Sequence, residues 1–361
     1  MTQSHTSDTS NSCYPRAPGP VTGERAGALT PGRSTYYAGQ VRRYGGPEVI
    51  ELVELPRPSV PPGWVRIAVE ATPVTAGDSR VRAARVPTGM RTLMRLALGW
   101  SGPRQGVLGV EAAGVVTEVG AGVTAWRPGD AVLAVTGARF GAHAEELLLP
   151  ADAVIVARPA GLGAVEAAAL AFGGLTATHY LRAAAVKPGE RVLVIGASGA
   201  VGTAFVQLAR REGAEVTGIC GAQNAELVRQ LGARETVDYR QRDVFSDPAE
   251  TRQWDVIIDA VGETDYSRAR PRLAPGGRLV RVVCGLLGQL ACSFQGRLRG
   301  HRVIAGVAGE RREDVVRLCD LAARGELQTV VDRVYPLSEI RAAHERVDSG
   351  RKRGSVVLVR G

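Results

Sequence analysis

The chain has 361 residues, 45% hydrophobic and 22% charged, a composition typical of a globular protein with two medium-sized domains. No stretch of about 18 apolar residues occurs without a charge, a proline or a glycine, so no membrane span is expected. The net charge of +9 results from 45 cationic and 36 acidic residues. Because the arginines are scattered singly among acids rather than clustered, nucleic-acid binding is not expected as the main role.

Residues 1–34 are rich in Ser, Thr, Pro and Gly and show no hydrophobic period, which predicts a disordered tail. The first residues contain neither the basic nor the apolar region of a signal peptide. The five cysteines form no CxxC pair. We interpret them as reduced residues, mostly buried, and expect a cytoplasmic protein.

Residues 35–157 alternate short apolar stretches with turns and predict a mostly β domain. The predicted strands are 37–42, 49–55, 64–71, 113–119, 131–135 and 145–149. Prolines and glycines at 61–63 and 128–130 supply turns between them.

Residues 158–329 alternate helices with apolar strands, which predicts a doubly wound parallel sheet. The helices are expected at 164–171, 176–185, 200–212, 225–231 and 314–324, and the strands at 191–195, 215–220, 255–260 and 278–283. A turn is predicted at 275–277, just before the last of these strands. A short strand is predicted near 329–335, and the apolar strand 354–359 matches the style of the first domain, so residues 330–361 are predicted to complete that domain.

The segment 192–203, VLVIGASGAVGT, is the most informative motif of the chain. Gly196 permits a tight turn, Gly199 lets a pyrophosphate approach the backbone, and Gly202 lets the helix pack against the sheet. The helix start, including Ser198, Ala200 and Val201, offers free N–H groups to phosphates. A glycine-rich turn without a ligand is the alternative, but the surrounding strand, helix and second βα unit favour a dinucleotide site.

The end of the second predicted strand of this unit indicates which nicotinamide cofactor is used. Enzymes specific for NAD usually place Asp or Glu there, to hold the ribose hydroxyls. Here Cys220 is followed by Gly221, Ala222, Gln223 and Asn224, with no carboxylate to repel a 2′-phosphate. We therefore expect NADPH, with NADH as the less favoured alternative.

These residues, in this order, resemble the medium-chain dehydrogenase/reductase superfamily and, within it, the zinc-free quinone oxidoreductase branch. Besides the glycine motif, the phrases that carry the resemblance are 44–47 (YGGP), 76–80 (AGDSR), 108–114 (LGVEAAG), 128–130 (PGD), 173–177 (GGLTA), 275–277 (PGG), 332–337 (DRVYPL) and 350–354 (GRKRG). The resemblance implies an α/β protein in which a GroES-like domain (35–157 and 330–361) and a Rossmann domain (158–329) enclose the catalytic cleft. It also implies a homodimer, formed through an edge strand of the Rossmann sheet.

The positions that bind zinc in metal-dependent relatives lack most of their ligands here. Those relatives have a Cys just before the Asp78 position, whereas this chain has Val-Thr-Ala-Gly at 74–77. They have a His next to the Glu111 position, whereas this chain has Val110. Since a catalytic zinc needs about three protein ligands, no metal is expected.

The resemblance also implies positions for individual residues. Thr176 is expected near the nicotinamide, and Asn224 and Tyr239 near the adenosine 2′ position. The remaining cofactor-binding candidates are Gly196, Ser198, Gly199, Ala200, Val201, Gly202, Cys220, Val261, Cys284, Gly285, Lys352 and Arg353.

Two residues are candidates for the chemistry. Thr75 stands where the family commonly has an Asn that faces the substrate, and a Thr hydroxyl can donate to a carbonyl with shorter reach. His143 stands where relatives often have Tyr, and it could protonate an enolate. The favoured alternative for His143 is a strand residue that packs or meets solvent. His179 and His344 are predicted on helix surfaces.

Residues 86–104 mix apolar side chains with three arginines. They predict either an amphipathic helix that covers an apolar substrate pocket or a helix packed on its own domain. The leading hypothesis is an NADPH-dependent, zinc-free reductase of quinones, enones or other activated double bonds, acting on a small apolar acceptor. The alternatives are a non-redox regulatory or RNA-binding protein on this scaffold, and a tailoring enzyme of secondary metabolism that reduces an enoyl or quinone intermediate.

Overall fold

The computed structural model describes residues 33–85, 95–96, 98–283 and 296–361. Residues 1–32 of the predicted tail, most of the stretch 86–104, and the cofactor candidates Cys284 and Gly285 lie outside the described residues. Among the described residues, no helix is both long and apolar enough to cross a bilayer.

The first part of the chain forms a mostly antiparallel sheet. Its elements are β1 (Thr35–Val41), β2 (Ile50–Pro56), β3 (Trp64–Val74), α1 (Ala76–Arg82), β4 (Glu111–Val119), β5 (Ala131–Val135), β6 (Glu146–Pro150) and β7 (Val154–Ala157). The long strand β3 pairs with β4 and also with β6, and β5 pairs with both β4 and β7. Strands β1 and β2 form a separate two-stranded ribbon.

The middle of the chain forms a six-stranded parallel sheet with helices. Its elements are α2 (Ala164–Ala168), α3 (Ala171–Ala184), β8 (Arg191–Ile195), α4 (Ala200–Arg211), β9 (Glu215–Cys220), α5 (Ala225–Gln230), β10 (Glu235–Asp238), β11 (Trp254–Asp259), α6 (Tyr266–Ala269), β12 (Leu273–Arg281), β13 (Arg302–Ala305) and α7 (Arg312–Ala323). The strand order is β10-β9-β8-β11-β12-β13. The chain therefore adds β9 and β10 on one side of β8 and then β11, β12 and β13 on the other side. In such sheets, ligands bind at the carboxyl ends of the strands where this change of side occurs, here at the end of β8.

The chain then returns to the first sheet. Strand β14 (Val331–Pro336), helix α8 (Ile340–Asp348) and strand β15 (Ser355–Val359) complete the molecule. Val356 of β15 pairs with Val74 of β3, so the last strand lies beside the first long one. The predicted fold class, a GroES-like β domain with a Rossmann domain, is confirmed. The exact domain boundaries stay a prediction.

The turn predicted at 275–277 is part of strand β12. Trp254 of β11 pairs with Leu273, and Val256 pairs with Arg278, so residues 274–277 bulge from the ladder. Gly276 has a φ of +73°, which a glycine adopts without strain. Thus the Pro-Gly-Gly sequence bends the strand without ending it.

Candidate active site

A cleft of about 790 Å³ lies at the carboxyl end of β8. It is lined by the glycine-rich turn on one side, by α1 on another, and by the last two residues of α8 with residues 350–352 that follow it. Its volume falls within the range of about 300–1,000 Å³ that is typical of small-molecule sites.

The glycine turn has the geometry of a phosphate cradle. Gly196 has a φ of +77°, as a tight turn after β8 requires. A Cβ on Gly202 would lie 2.0 Å from the Gly196 carbonyl oxygen, so helix α4 can pack there only with glycine. A Cβ on Gly199 would meet only that same oxygen, at 3.5 Å, so the protein itself leaves this position free. The contrast indicates that Gly199 keeps room for a ligand.

Two hydrogen bonds attach other segments to this turn. The Gly354 amide donates to the Ser198 carbonyl at 2.8 Å. The Asn224 side chain donates to the Ser198 hydroxyl at 3.1 Å. The segment that leads into β15 is therefore fixed against the nucleotide motif, and Lys352 and Arg351 line the cleft.

The far end of the cleft lies beyond β9 and contains Cys220, Asn224, Tyr239 and Arg240. The Arg240 guanidinium lies over the Tyr239 ring, 5.5 Å from its centroid. Asp238, paired with Cys220 across the strands, accepts from the Arg240 amide and does not line the cleft. Sequence reasoning missed Arg240. The signal was available, because Arg240 follows β10, and carboxyl ends of neighbouring parallel strands meet at one sheet edge.

Of three further residues predicted to bind the cofactor, one lines the cleft and two do not. Val261 lines it and covers Gly196, whose Cβ would lie 2.5 Å from the Val261 side chain. Thr176 is buried in α3, donates to the Phe172 carbonyl at 2.7 Å, and does not line the cleft. Arg353 is exposed and also lies outside the lining.

Burial shifts the pKa values of Lys352 and Cys220, which both line the cleft. Burial lowers the pKa of Lys352 to about 8, and its Nζ donates to the Gly354 carbonyl at 2.7 Å. Burial, together with the charge of Asp238, raises the pKa of the Cys220 thiol to about 11. Cys220 is therefore a neutral wall residue at physiological pH and is unsuited to act as a nucleophile.

Thr75 lines the cleft, but its hydroxyl is engaged. It caps α1, and its Oγ1 donates to Asp78 at 2.6 Å while accepting from the Asp78 amide at 3.2 Å. The other Asp78 oxygen accepts from the Gly109 amide at 3.0 Å. Since a hydroxyl has one proton, Thr75 cannot donate to a substrate carbonyl while this capping box is intact.

His143 lies in the core and does not line the cleft. Its Nε2 is 3.1 Å from the Pro73 carbonyl, and its ring packs edge-on against His344 at 5.5 Å. This burial favours the packing alternative over proton donation. The prediction of a surface position for His344 was wrong, because α8 turns this residue inward against β3 and α1, where it is 1% exposed.

Glu111 is a buried carboxyl in the cleft wall. Burial, reinforced by Asp78, raises its pKa well above the usual value, and its Oε1 has no hydrogen-bond partner. The neutral form is therefore favoured. Among the described residues, no three His, Cys, Asp or Glu side chains are grouped so as to hold a metal ion. The donors around Glu111 therefore do not fit a catalytic zinc.

The end of the cleft beside Thr75 is basic. Asp348 of α8 accepts from Ser79 and from Arg82, and from Arg85 at 2.8 Å. Arg80 lines the same wall and is half-buried. Sequence reasoning missed this end, because its members come from positions more than 260 residues apart.

Comparison with known proteins places this architecture in a family. Residues 61–160 match the alcohol dehydrogenase GroES-like domain, and residues 231–358 match a zinc-binding dehydrogenase domain. A quinone oxidoreductase of Pseudomonas aeruginosa is 30% identical over 339 residues, which cover 89% of this chain and 98% of the relative. The chain belongs to the medium-chain dehydrogenase/reductase superfamily, in its quinone oxidoreductase-like branch.

Other members of the family agree with this assignment. A 2-haloacrylate reductase of Burkholderia is 30% identical over 338 residues, with coverage of 89% and 98%. The solved quinone oxidoreductase of Coxiella burnetii superimposes with a TM-score of 0.80 at 26% identity, covering 90% of this chain and 99% of that one. The chain is thus an oxidoreductase of this superfamily, which binds nicotinamide cofactors.

Proposed function

We propose that this protein is a zinc-independent, NADPH-dependent oxidoreductase that reduces a quinone, an enone or another activated C=C bond. The observation that carries the proposal is a cleft that joins an open glycine cradle to a wall where, among the described residues, no three metal-binding side chains are grouped. The cytoplasmic location and the homodimer also stay proposals. For the dimer, β13 at the edge of the parallel sheet is the candidate contact.

The preference for NADPH is supported by the basic groups around the cleft. Arg240 can pair with a 2′-phosphate, and Lys352 can pair with the pyrophosphate. The loop after Cys220 has no acidic residue that would repel a 2′-phosphate. Gly199 and the free amides at the start of α4 suit the diphosphate.

The reaction we propose needs no Lewis acid. When bound, NADPH supplies a hydride to the electrophilic carbon of the acceptor and becomes NADP⁺, while a proton from solvent completes the reduced product. The residues of the chain hold the two reactants in contact, and orientation alone can contribute about 7–11 kcal/mol in favourable cases. The neutral Glu111 carboxyl can donate a hydrogen bond to a polar group in the cleft.

The test is NADPH and NADH oxidation, followed by absorbance, with small quinones, enones and enoyl thioesters. We expect turnover with NADPH, no loss after dialysis against a chelator, and weaker use of NADH. NADPH binding without turnover of any acceptor class would favour the non-redox alternative. Loss of activity on chelation would contradict zinc independence.

A variant tests the cofactor preference directly. Arg240→Ala should raise the Kd for NADPH about tenfold, as loss of one charge-assisted contact does, and leave that for NADH unchanged. Arg317→Ala removes an exposed arginine from α7, outside the cleft lining, and serves as the control. Equal weakening of both cofactors by Arg240→Ala would contradict the assignment of Arg240 to the 2′-phosphate.

A further inference from the structure

Helix α1 presents one face to the cleft. Ala76, Ser79 and Arg80 all line it, as positions i, i+3 and i+4 of a helix share a face. The Arg80 side chain is half-buried, and burial and the like charge of Arg85 lower its pKa. The helix thus brings a partly desolvated guanidinium to the same wall as Thr75.

No carboxylate in the described part of the chain forms an ion pair with Arg80. Asp348 is engaged by Ser79, Arg82 and Arg85. Asp78 directs its oxygens to Thr75 and to the Gly109 amide. By sequence, the segments 86–94 and 284–295 contain no Asp or Glu.

A cation in this position is costly without a counter-ion. Its partial burial removes water, and Arg82 and Arg85 share one carboxylate between them. Two acids line this end, Asp348, which those neighbours engage, and Glu111, whose pKa is raised well above its usual value by burial and by Asp78. An anion that enters the cleft would therefore meet a guanidinium without a competing partner.

We propose that Arg80 binds a carboxylate of the acceptor, so that the natural substrate is an activated alkene or quinone that bears a carboxylate group. The inference rests on the proposed function, whose substrate class it narrows. The planar guanidinium can meet a carboxylate with two parallel N–H···O bonds, which fixes the orientation of the substrate as well as its charge.

A matched pair of acceptors tests the inference. 4-Oxopent-2-enoate is an enone with a carboxylate, and its methyl ester is a neutral analogue of nearly the same shape. With wild-type protein and NADPH, we expect kcat/KM to be about 10- to 100-fold higher for the acid. Arg80→Gln should remove that preference by lowering the rate for the acid alone, and Arg80→Lys should retain part of it.

Two controls exclude general effects of charge. Arg317→Gln makes the same charge change on α7, outside the cleft lining, and should keep the preference for the acid. The Kd of Arg80→Gln for NADPH should equal that of wild type. If the Kd for NADPH rises as much as kcat/KM for the acid falls, then Arg80 pairs with the cofactor phosphates and the inference is wrong.

A binding measurement separates this inference from the proposed function. 4-Oxopentanoate, which has no C=C bond to reduce, is titrated into the protein with and without NADP⁺, beside its methyl ester. Binding of the acid alone, lost in Arg80→Gln, supports the anion site even if no acceptor turns over. Equal binding or equal turnover of acid and ester in wild type would overturn the inference, while turnover itself would leave the reductase proposal in place.

Discussion

The two walls of the cleft are built in different ways. The nucleotide wall comes from one contiguous segment, 192–203, and its properties reside in the backbone: a positive φ at Gly196 and a missing Cβ at Gly202. The opposite wall is assembled from α1 and from the end of α8 with the residues after it, and it depends on side-chain contacts of Asp348 with Arg82 of α1 and with Arg85, which follows α1.

This difference determines how far each wall of the cleft tolerates amino-acid substitution. A backbone cradle tolerates few replacements and recognises a feature common to dinucleotides. A wall of side chains on two separate helices can change charge and shape without disturbing the sheet that supports them. On the function and the inference proposed above, the diphosphate is recognised by backbone geometry, whereas the choice of acceptor depends on side chains such as Arg80 and Glu111.

The sharpest test of the backbone wall compares two glycines in the same motif. Gly202→Ala places a Cβ 2.0 Å from the Gly196 carbonyl oxygen, and we expect it to lower the free energy of unfolding by about 3 kcal/mol. Gly199→Ala meets only an ordinary contact at 3.5 Å, so its stability should stay within about 1 kcal/mol of wild type. Its Kd for NADPH should nevertheless rise about 100-fold, because the backbone can no longer approach the phosphates.

Urea denaturation and cofactor titration of both variants provide the measurement. Gly161→Ala, in a positive-φ turn with no atom within 4 Å of the added Cβ and outside the cleft lining, controls for backbone strain alone. If Gly199→Ala binds NADPH as tightly as wild type, the role assigned to Gly199 is wrong.

The opposite wall should be the more sensitive to acid. Burial, then His143 and Arg82, lower the pKa of His344 well below its usual value of 6.5. Below pH 6.5, the His344 imidazole therefore binds a proton in the unfolded chain but stays neutral in the folded chain. Stability should fall as the pH drops below 6.5, by up to about 1.4 kcal/mol per pH unit, until the folded pKa is reached.

His344→Leu removes this titration and should flatten the fall in stability between pH 6.5 and 5. His179→Gln is the comparison, because His179 is only half-buried and its pKa is lowered mainly by that burial. Urea denaturation at several pH values measures both. An unchanged slope in His344→Leu would show that another group controls acid stability.

The parts of the fold that the sequence predicts are those in which local pattern and tertiary structure agree. Strands β8 and β9 have the predicted limits, since buried parallel strands are continuous apolar runs between clear turns. Strand β13, helix α8 and the short helix α1 were not predicted. Their hydrophobic positions are few; α8 and Val81 of α1 pack in one core cluster with strands from both ends of the chain, and β13 is placed by its pairing with β12.

The same distinction applies to the site. The glycine motif could be located because its chemistry is contiguous. The engagement of the Thr75 hydroxyl by Asp78 was open to prediction as a Thr-x-x-Asp capping pattern, but was not considered. The inward position of His344 and the pairing of Asp348 with α1 depend on how α8 docks, which no local pattern specifies.

The smallest expected effect concerns Lys352, which the returning chain places in the cleft. Its pKa of about 8 means that the free protein loses this charge as the pH rises above 8. If the lysine pairs with a cofactor phosphate, binding raises its pKa, so NADPH affinity is constant below pH 8 and falls above it by up to about tenfold per pH unit.

Titration of NADPH at pH 7, 8 and 9 checks this dependence. Lys352→Met should bind about tenfold more weakly at pH 7, with little further change towards pH 9. Lys352→Arg should retain its affinity at pH 9, because a guanidinium stays charged there. A wild-type affinity that does not change across this range would place the Lys352 ammonium away from the phosphates and leave its bond to the Gly354 carbonyl as a purely structural contact.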